Sequence, residues 1–347
     1  MGAILSYRNL KIGPVVVLEG PDGCGKSTLS DSFTEFNWNY AHFGAPDGPA
    51  YDFYRKGVQK LVGATVLDRY HTGSIVYGTI FRGTSDLTDF QHWLLEMELK
   101  SCSALMVHVT VPWENQVAVI KERRKTSDGN QFEAIDKQKA IRDKYAEVME
   151  HTALEKVDFD WTRGDTFEKL FEVKLNRVLD AVVNRPEALF SSVPSLGWWE
   201  APYVLVGDEP STFASVKHMF DVHGVSLDRM RGVGGAPFNS TSGEYLYRSL
   251  QSAGIQNDVC VFNSRLIDGR EIEDVWASWP FPGTTIALGK KASERLERAD
   301  VDHVMVPHPQ YMRRFHHKDL SLYGEMIKNA KHGSDSWMPR REVSAAA

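Results

Sequence analysis

An apolar strand that runs straight into a glycine-rich turn and then a helix leaves a chain few ways to fold, and residues 15–36 have that layout. Val15-Val16-Val17-Leu18 is apolar on both faces, so both faces must be covered, as in a parallel sheet with helices on each side. Gly20-Pro21-Asp22-Gly23-Cys24-Gly25-Lys26-Ser27 follows in the pattern G-x-x-x-x-G-K-[ST], and Thr28 to Phe36 has helical spacing. Gly20, Gly23 and Gly25 let the backbone wrap closely, so successive N–H groups and the helix amino terminus near Thr28 can face a phosphate. In that layout Lys26 reaches the β- and γ-phosphates of a nucleotide and Ser27 holds Mg2+. The plainer alternative is a strand-to-helix turn with a chance Lys-Ser. Strand, loop and helix signals all agree, which favours the nucleotide site.

The same alternation continues. Ala64-Thr65-Val66-Leu67 and Ala104 to Val109 are further buried-strand candidates, and Thr166 to Val183 has helical spacing. Pro186 and the stretch Ser191 to Gly197 form a Pro/Ser/Gly-rich connector, after which the pattern restarts at Tyr203-Val204-Leu205-Val206. Val259 to Phe262, Thr285 to Leu288 and Val304 to Val306 follow. At 347 residues the chain exceeds what one core usually serves. The expectation is therefore two α/β domains, 1–185 and 201–330, joined by a linker over 186–200 and ending in a loose tail over 331–347. A net charge of −6 argues against gripping nucleic acid by bulk charge, though a local basic channel stays open. Cys24, Cys102 and Cys260 are too few and too scattered for a disulfide framework. With no long apolar run and no signal-peptide layout, the expectation is a soluble, cytoplasmic protein with no membrane partner.

Asp68-Arg69-Tyr70 ends the second strand. A carboxylate at the carboxyl end of a parallel strand beside the phosphate loop is placed to hold Mg2+ or its water, and Arg69 offers a phosphate a bidentate fork. A surface ion pair capping the strand is the plainer reading. Lys121 to Gly129 gathers cations, Arg123 and Arg124 among them, before a Gly-containing turn. This is either a cationic flap over a transferring phosphoryl group or a solvated helix end.

The order of phosphate loop, Asp68-Arg69-Tyr70, Arg123-Arg124 and Ile141-Arg142-Asp143-Lys144-Tyr145 resembles the thymidylate kinase family over roughly residues 12–183. The resemblance implies a P-loop nucleoside-monophosphate-kinase fold using ATP and Mg2+. Asp22 would contact the acceptor nucleotide, Arg69 its acceptor side, and Arg123 or Arg124 the transferring phosphate. Only about forty residues separate Ser27 from Asp68, shorter than usual for mononucleotide kinases. His42 to Pro46 and Gly73 to Gly78 look like a viral branch of the family, for which host cytoplasm is the expected location. Some of those relatives phosphorylate the hydroxymethyl group of 5-hydroxymethyluracil within DNA.

In the second half, acidic, amide and His groups fall at successive strand ends, so they would meet on one rim of a parallel sheet. They are Gly207-Asp208-Glu209-Pro210, Asn263 and His308-Pro309, with Arg313 and Arg314 just beyond. Singly, His308 could cap a strand and Asn263 could be a turn residue. Together they resemble the uracil-DNA glycosylase superfamily over about residues 201–330. By that resemblance Gly207, Asp208 and Glu209 belong to the motif that orients the attacking water. Asn263 would bind the edge of a flipped pyrimidine, and His308 would stabilise charge on the base. Arg313 and Arg314 fit phosphate contacts to DNA, and Tyr311 or Met312 could fill the vacated stack. Joined, the two resemblances imply a kinase acting on a modified pyrimidine in DNA with a base-presenting second domain. The alternative is a kinase of dTMP or hydroxymethyl-dUMP fused to an active glycosylase, and a third reading makes the second domain an inert DNA-binding platform.

Overall fold

The computed structural model describes residues 14–58, 60–61, 63–126, 135–172, 197–208, 240–264, 279–316 and 319–330. The chain divides into two compact units, Met1–Arg185 and Pro186–Ala347. The expected connector up to residue 196, the tail over 331–347, the turn after Thr126, the helical stretch beyond residue 172 and Glu209 lie outside the described residues.

The first unit is a parallel sheet in the order β2-β3-β1-β4-β5. Its strands are β1 (Val15–Glu19), β2 (Asn39–His42), β3 (Thr65–Asp68), β4 (Leu105–Thr110) and β5 (Glu155–Asp160). β1 sits at the centre and is buried along its whole length, as its apolar run requires. The helices are α1 (Lys26–Glu35), α2 (Ala50–Val58), α3 (His71–Arg82), α4 (Asp89–Ser101), α5 (Trp113–Thr126), α6 (Ile135–Glu150) and α7 (Phe167–Leu170). Helical spacing decides which side chains they turn inward. α6 buries Gln138, Ile141, Tyr145 and Met149, three and four residues apart, and α5 buries Gln116 and Ile120. α4 starts on a capping box in which Thr88 accepts from the Gln91 backbone and the Gln91 side chain returns to Thr88.

β2 and β5 lie at the two edges and escaped the sequence reading. Asn-Tyr-Ala-His and Glu-Lys-Val-Asp-Phe-Asp carry no apolar run, because an edge strand keeps much of its surface in water. α1 begins at Lys26, two residues before the expected Thr28.

The second unit is also parallel, in the order β7-β6-β8-β9. Its strands are β6 (Tyr203–Gly207), β7 (Val259–Asn263), β8 (Thr284–Leu288) and β9 (Val304–Val306), all foreseen to within a residue. Its helices are α8 (Thr241–Ser252), α9 (Lys290–Arg298), α10 (Pro309–Phe315) and α11 (Leu320–Lys328). Val204, Val206, Cys260, Phe262, Ala287 and Leu296 pack one face of this sheet. The fold class is thus α/β twice over. No described helix is long and apolar enough to cross a membrane.

Candidate active site

In an open parallel sheet, ligands bind at the carboxyl ends of strands where the winding reverses. In the first unit that place is the end of β1, flanked by β3 and β4, and the glycine loop starts there. Gly20, Gly23 and Gly25 have φ of 148°, 80° and 90°. A Cβ on Gly20 would lie 2.2 Å from the Val109 carbonyl oxygen, so only glycine lets the loop pass β4 this closely. Gly25 caps α1 without any side-chain hydrogen bond, and Ser27 and Thr28 are exposed on the first turn. The amino end of α1 therefore keeps N–H donors for a ligand.

Lys26 is buried, and its ammonium donates to the carbonyl oxygens of Gly20 at 2.7 Å and Pro21 at 2.8 Å. Its charge is thus held inside the loop that would wrap a phosphate. The Cys24 thiol donates to Pro21 O at 2.8 Å, and burial pushes its pKa up, so it is a protonated packing group. Trp161, in the turn after β5, presses on the loop from the other side. A Cβ on Gly25 would stand 2.6 Å from its Nε1, and that N–H is buried without a hydrogen-bond partner.

Asp22, within the loop, meets Arg69, which follows β3. A guanidinium Nη of Arg69 bonds Asp22 Oδ1, and the Tyr77 hydroxyl donates to Asp22 Oδ2 at 2.8 Å. Burial pushes the Asp22 carboxyl up, but Arg69, Lys26 and Tyr77 outweigh it and hold it below the usual carboxylate value. Arg69 itself has φ of 62° and donates its backbone N–H to Leu18 O at 3.0 Å. This left-handed residue breaks the chain sharply from β3 into α3 and aims the guanidinium at the loop. Asp68 ends β3. Its Oδ2 faces the Tyr40 hydroxyl at 3.0 Å and His42 Nδ1 at 3.2 Å, both from β2, while its buried Oδ1 has no hydrogen-bond partner.

Beneath the loop lies Glu19, fully buried at the end of β1. It accepts from the backbone N–H groups of Tyr70 at 2.7 Å and Gly73 at 3.3 Å and from the Tyr145 hydroxyl at 3.1 Å. Burial pushes its carboxyl up; these donors and Lys26 oppose the rise without cancelling it. Gln116 of α5 donates to Asp22 O at 2.9 Å and Gln138 Oε1 at 3.1 Å, and Arg142 of α6 binds Val111 O. The structure therefore gathers Gly20, Asp22, Gly23, Gly25, Lys26, Ser27, Asp68 and Arg69 at the carboxyl ends of the neighbouring strands β1 and β3. Arg123 and Arg124 stand exposed in the last turn of α5, next to residues outside the description.

Glu19, Tyr40, His42, Tyr77, Gln116, Gln138 and Trp161 were missed as site residues. A charged residue closing an apolar strand could have drawn attention to Glu19. Tyr145 and Arg142 belong to the Ile141–Tyr145 stretch of the resemblance, and the structure supplies what they hold, Glu19 Oε2 and the Val111 carbonyl.

In the second unit the corresponding switch point falls between β6 and β8. Asp208 follows β6, and its Oδ1 pairs with the Arg295 Nη1 at 2.6 Å, its Oδ2 with Lys291 at 3.3 Å. The same Arg295 nitrogen reaches Asp208 O at 2.8 Å and Ser264 Oγ at 3.0 Å. Asp208 is thus a clamp between β6 and α9, engaged by two cations from α9. Asn263 is buried at the end of β7. His308 caps the helix α10, rather than the strand as the plainer reading had it, and its Nδ1 accepts from Gln310 N at 3.1 Å. Burial, with Lys291 adding to it, lowers the His308 pKa against the pull of Asp208. The neutral ring with Nδ1 accepting carries its proton on Nε2, a hydrogen-bond donor at the rim. Arg313 and Arg314 follow on α10, with Tyr311 and Phe315 exposed beside them and 4.8 Å apart ring to ring.

No known family profile matches the chain, and neither does any curated protein. Solved structures do match. The YorR protein from Bacillus subtilis, in complex with phosphorylated GDP, is 22% identical, with a TM-score of 0.38, over 47% of this chain and 95% of its own. Deoxyadenosine kinase from M. mycoides is 14% identical, with a TM-score of 0.31, over 48% of this chain and 99% of its own. Thymidylate kinase from Candida albicans is 17% identical, with a TM-score of 0.31, over 48% of this chain and 93% of its own.

Proposed function

We propose that the first unit is an ATP-dependent phosphotransferase whose acceptor is the 5-hydroxymethyl group of 5-hydroxymethyluracil in DNA, and that the second unit binds DNA and presents the base. One observation carries the reading. The glycine loop, with Asp22 and Lys26 inside it and Arg69 beside it, sits where β1 ends at the reversal of the sheet. In this scheme the loop amides and Lys26 hold the β- and γ-phosphates once Lys26 exchanges two carbonyls for phosphate oxygens. The acceptor oxygen forms the bond to the γ-phosphorus as the bond to the β-bridging oxygen breaks. ADP leaves, and the hydroxyl proton passes to solvent or a nearby carboxylate. Little base strength is needed, because the transition state asks mainly for position and charge neutralisation.

Ser27 and Asp68 fit a Mg2+ donor set: both are oxygen ligands, and Asp68 Oδ1 is buried with nothing to bind. The ion would supply charge neutralisation at the β- and γ-phosphates. Asp22 has both oxygens engaged, so its part is to aim Arg69 at the acceptor side rather than to take a proton. Arg123 and Arg124 would close over the transferring group from the end of α5.

For the second unit, the engagement of Asp208 by Arg295 and Lys291 supports holding a base over cutting it out, with Asn263 and His308 Nε2 as the donors and acceptors that read it. Glu209 would stand beside them, and Arg313 and Arg314 would take DNA phosphates. A second reading, a dTMP or hydroxymethyl-dUMP kinase joined to an active uracil-DNA glycosylase, is supported by Asp208, Asn263 and His308 falling at or just past the carboxyl ends of β6, β7 and β9.

The test uses γ-labelled ATP and Mg2+ with two acceptors, duplex DNA containing 5-hydroxymethyluracil, and free dTMP with hydroxymethyl-dUMP. Label in the DNA, absent with Lys26→Ala, is expected. Label confined to the mononucleotides overturns the DNA reading in favour of the second one.

A further inference from the structure

Away from the phosphate loop, α3 and α4 face each other across a second cluster of ionisable groups. His71 is the first residue of α3 and is wholly buried, and neither of its ring nitrogens has a hydrogen-bond partner. An imidazole costs free energy to bury unless its nitrogens are satisfied. His92 and Glu96 stand four residues apart on α4, so one face of that helix presents both toward His71. Glu96 Oε1 lies 3.2 Å from His92 Nε2 and 3.5 Å from His71 Nε2. All three ligand atoms fall within 4.8 Å of one another.

These separations are near enough for ion pairs, yet His71 Nε2 and His92 Nε2 are both buried without an aligned hydrogen bond. Ligands at about 2.0–2.1 Å around a tetrahedral zinc ion stand about 3.3 Å from each other, between the two values here. The carboxylate is held in place from behind. Thr152 Oγ1 donates to Glu96 Oε1 at 2.6 Å, and the Ala153 backbone N–H donates to Oε2. Such outer-shell donors fix the direction of a ligating carboxylate. Two imidazoles and one carboxylate suit zinc or a similar transition ion, whereas Mg2+ and Ca2+ prefer all-oxygen sets. The His92 side chain is 16% exposed although its Nε2 is buried, so the outer edge of that ring is the side of the cluster nearest solvent, from which a fourth ligand would have to come.

We propose that His71, His92 and Glu96 bind one zinc-class divalent cation that fastens the start of α3 to α4 and to the Thr152–Ala153 turn. The role is structural. His71 directly follows Tyr70, whose backbone N–H holds Glu19, and α3 carries Tyr77 to Asp22. The ion would therefore fix the helix that aims the Asp22–Arg69 pair, and it is separate from the Mg2+ expected with the nucleotide. The inference stands whether or not the phosphoryl transfer proposed above is correct.

The experiment titrates the metal-stripped full-length chain with Co2+, whose visible d–d absorption reports four-coordinate binding, and then displaces it with Zn2+. One saturable equivalent is expected, insensitive to excess Mg2+, with a Zn2+-dependent rise in melting temperature. His92→Ala, at the partly exposed position, should lose the band. A wild-type chain with no band and no response to Zn2+ overturns the proposal without reference to any variant. So does an equal band in folded His92→Ala, which would place the ion elsewhere.

Discussion

Arg69 is held at a positive φ between a strand and a helix, and its guanidinium reaches the loop at Asp22. Asp22→Asn keeps the shape and removes the charge, so it isolates what the pair does. Arg69 stays 37% exposed, and solvent screens its half of the interaction. The expected loss of stability at neutral pH is therefore modest, about 1 kcal/mol. Its pH dependence has a definite sign. The Asp22 carboxyl is held below its usual value in the fold, so its contribution is present above the unfolded-chain pKa and fades as pH falls through the folded value. Unfolding midpoints of wild type and Asp22→Asn should differ by a constant amount above about pH 5 and converge below about pH 4. A gap that widened in acid would show that Asp22 is not held in its ionised form. The residue types of this site were readable because Gly-x-x-x-x-Gly-Lys-Ser and Asp68-Arg69 are local patterns. Their partners were not. Tyr77, Gln116 and Tyr145 reach Asp22 and Glu19 from residues far along the chain, and nothing in the local sequence of a helix says which polar group its buried face will meet.

At the scale of elements, burial on two faces decided what could be read. β1, β3 and β4 are apolar runs because they are covered on both sides, and in the second unit β6, β7 and β8 are almost wholly buried as well, β7 although it stands at an edge of its sheet. β2 and β5 are edge strands with polar residues, and no period distinguishes them from loops. That omission mattered for the site, because β2 brings Tyr40 and His42 to Asp68. The joint between β1 and α1 is the most constrained element boundary. Any side chain on Gly20 meets the Val109 carbonyl and must also adopt a φ of 148°. Gly20→Ala should cost more than about 1 kcal/mol in a denaturant titration and weaken nucleotide binding with it. Unchanged stability would mean that the loop does not pack against β4 as described.

Across the whole molecule, two parallel sheets each place a cluster of charged and polar groups at the strand ends where the winding reverses. In the first, the order β2-β3-β1-β4-β5 puts the glycine loop at the centre. In the second, the order β7-β6-β8-β9 puts Asp208 opposite α9, whose Lys291 and Arg295 engage it. The alternation of strands and helices made both sheets foreseeable, but strand order was not, because it depends on which crossovers skip a neighbour. Nucleotide binding belongs to the first cluster alone if Lys26 and the loop amides are its ligands. Hydrogen–deuterium exchange of the full-length chain, with and without ATP and Mg2+, reads this segment by segment. At a ligand concentration 100 times Kd, amides over residues 20–30 should exchange up to about 100-fold more slowly. Those over 201–330 should not change, and Lys26→Ala should abolish the effect. No protection over the loop, or equal protection in Lys26→Ala, would contradict the assignment of this loop as the phosphate site.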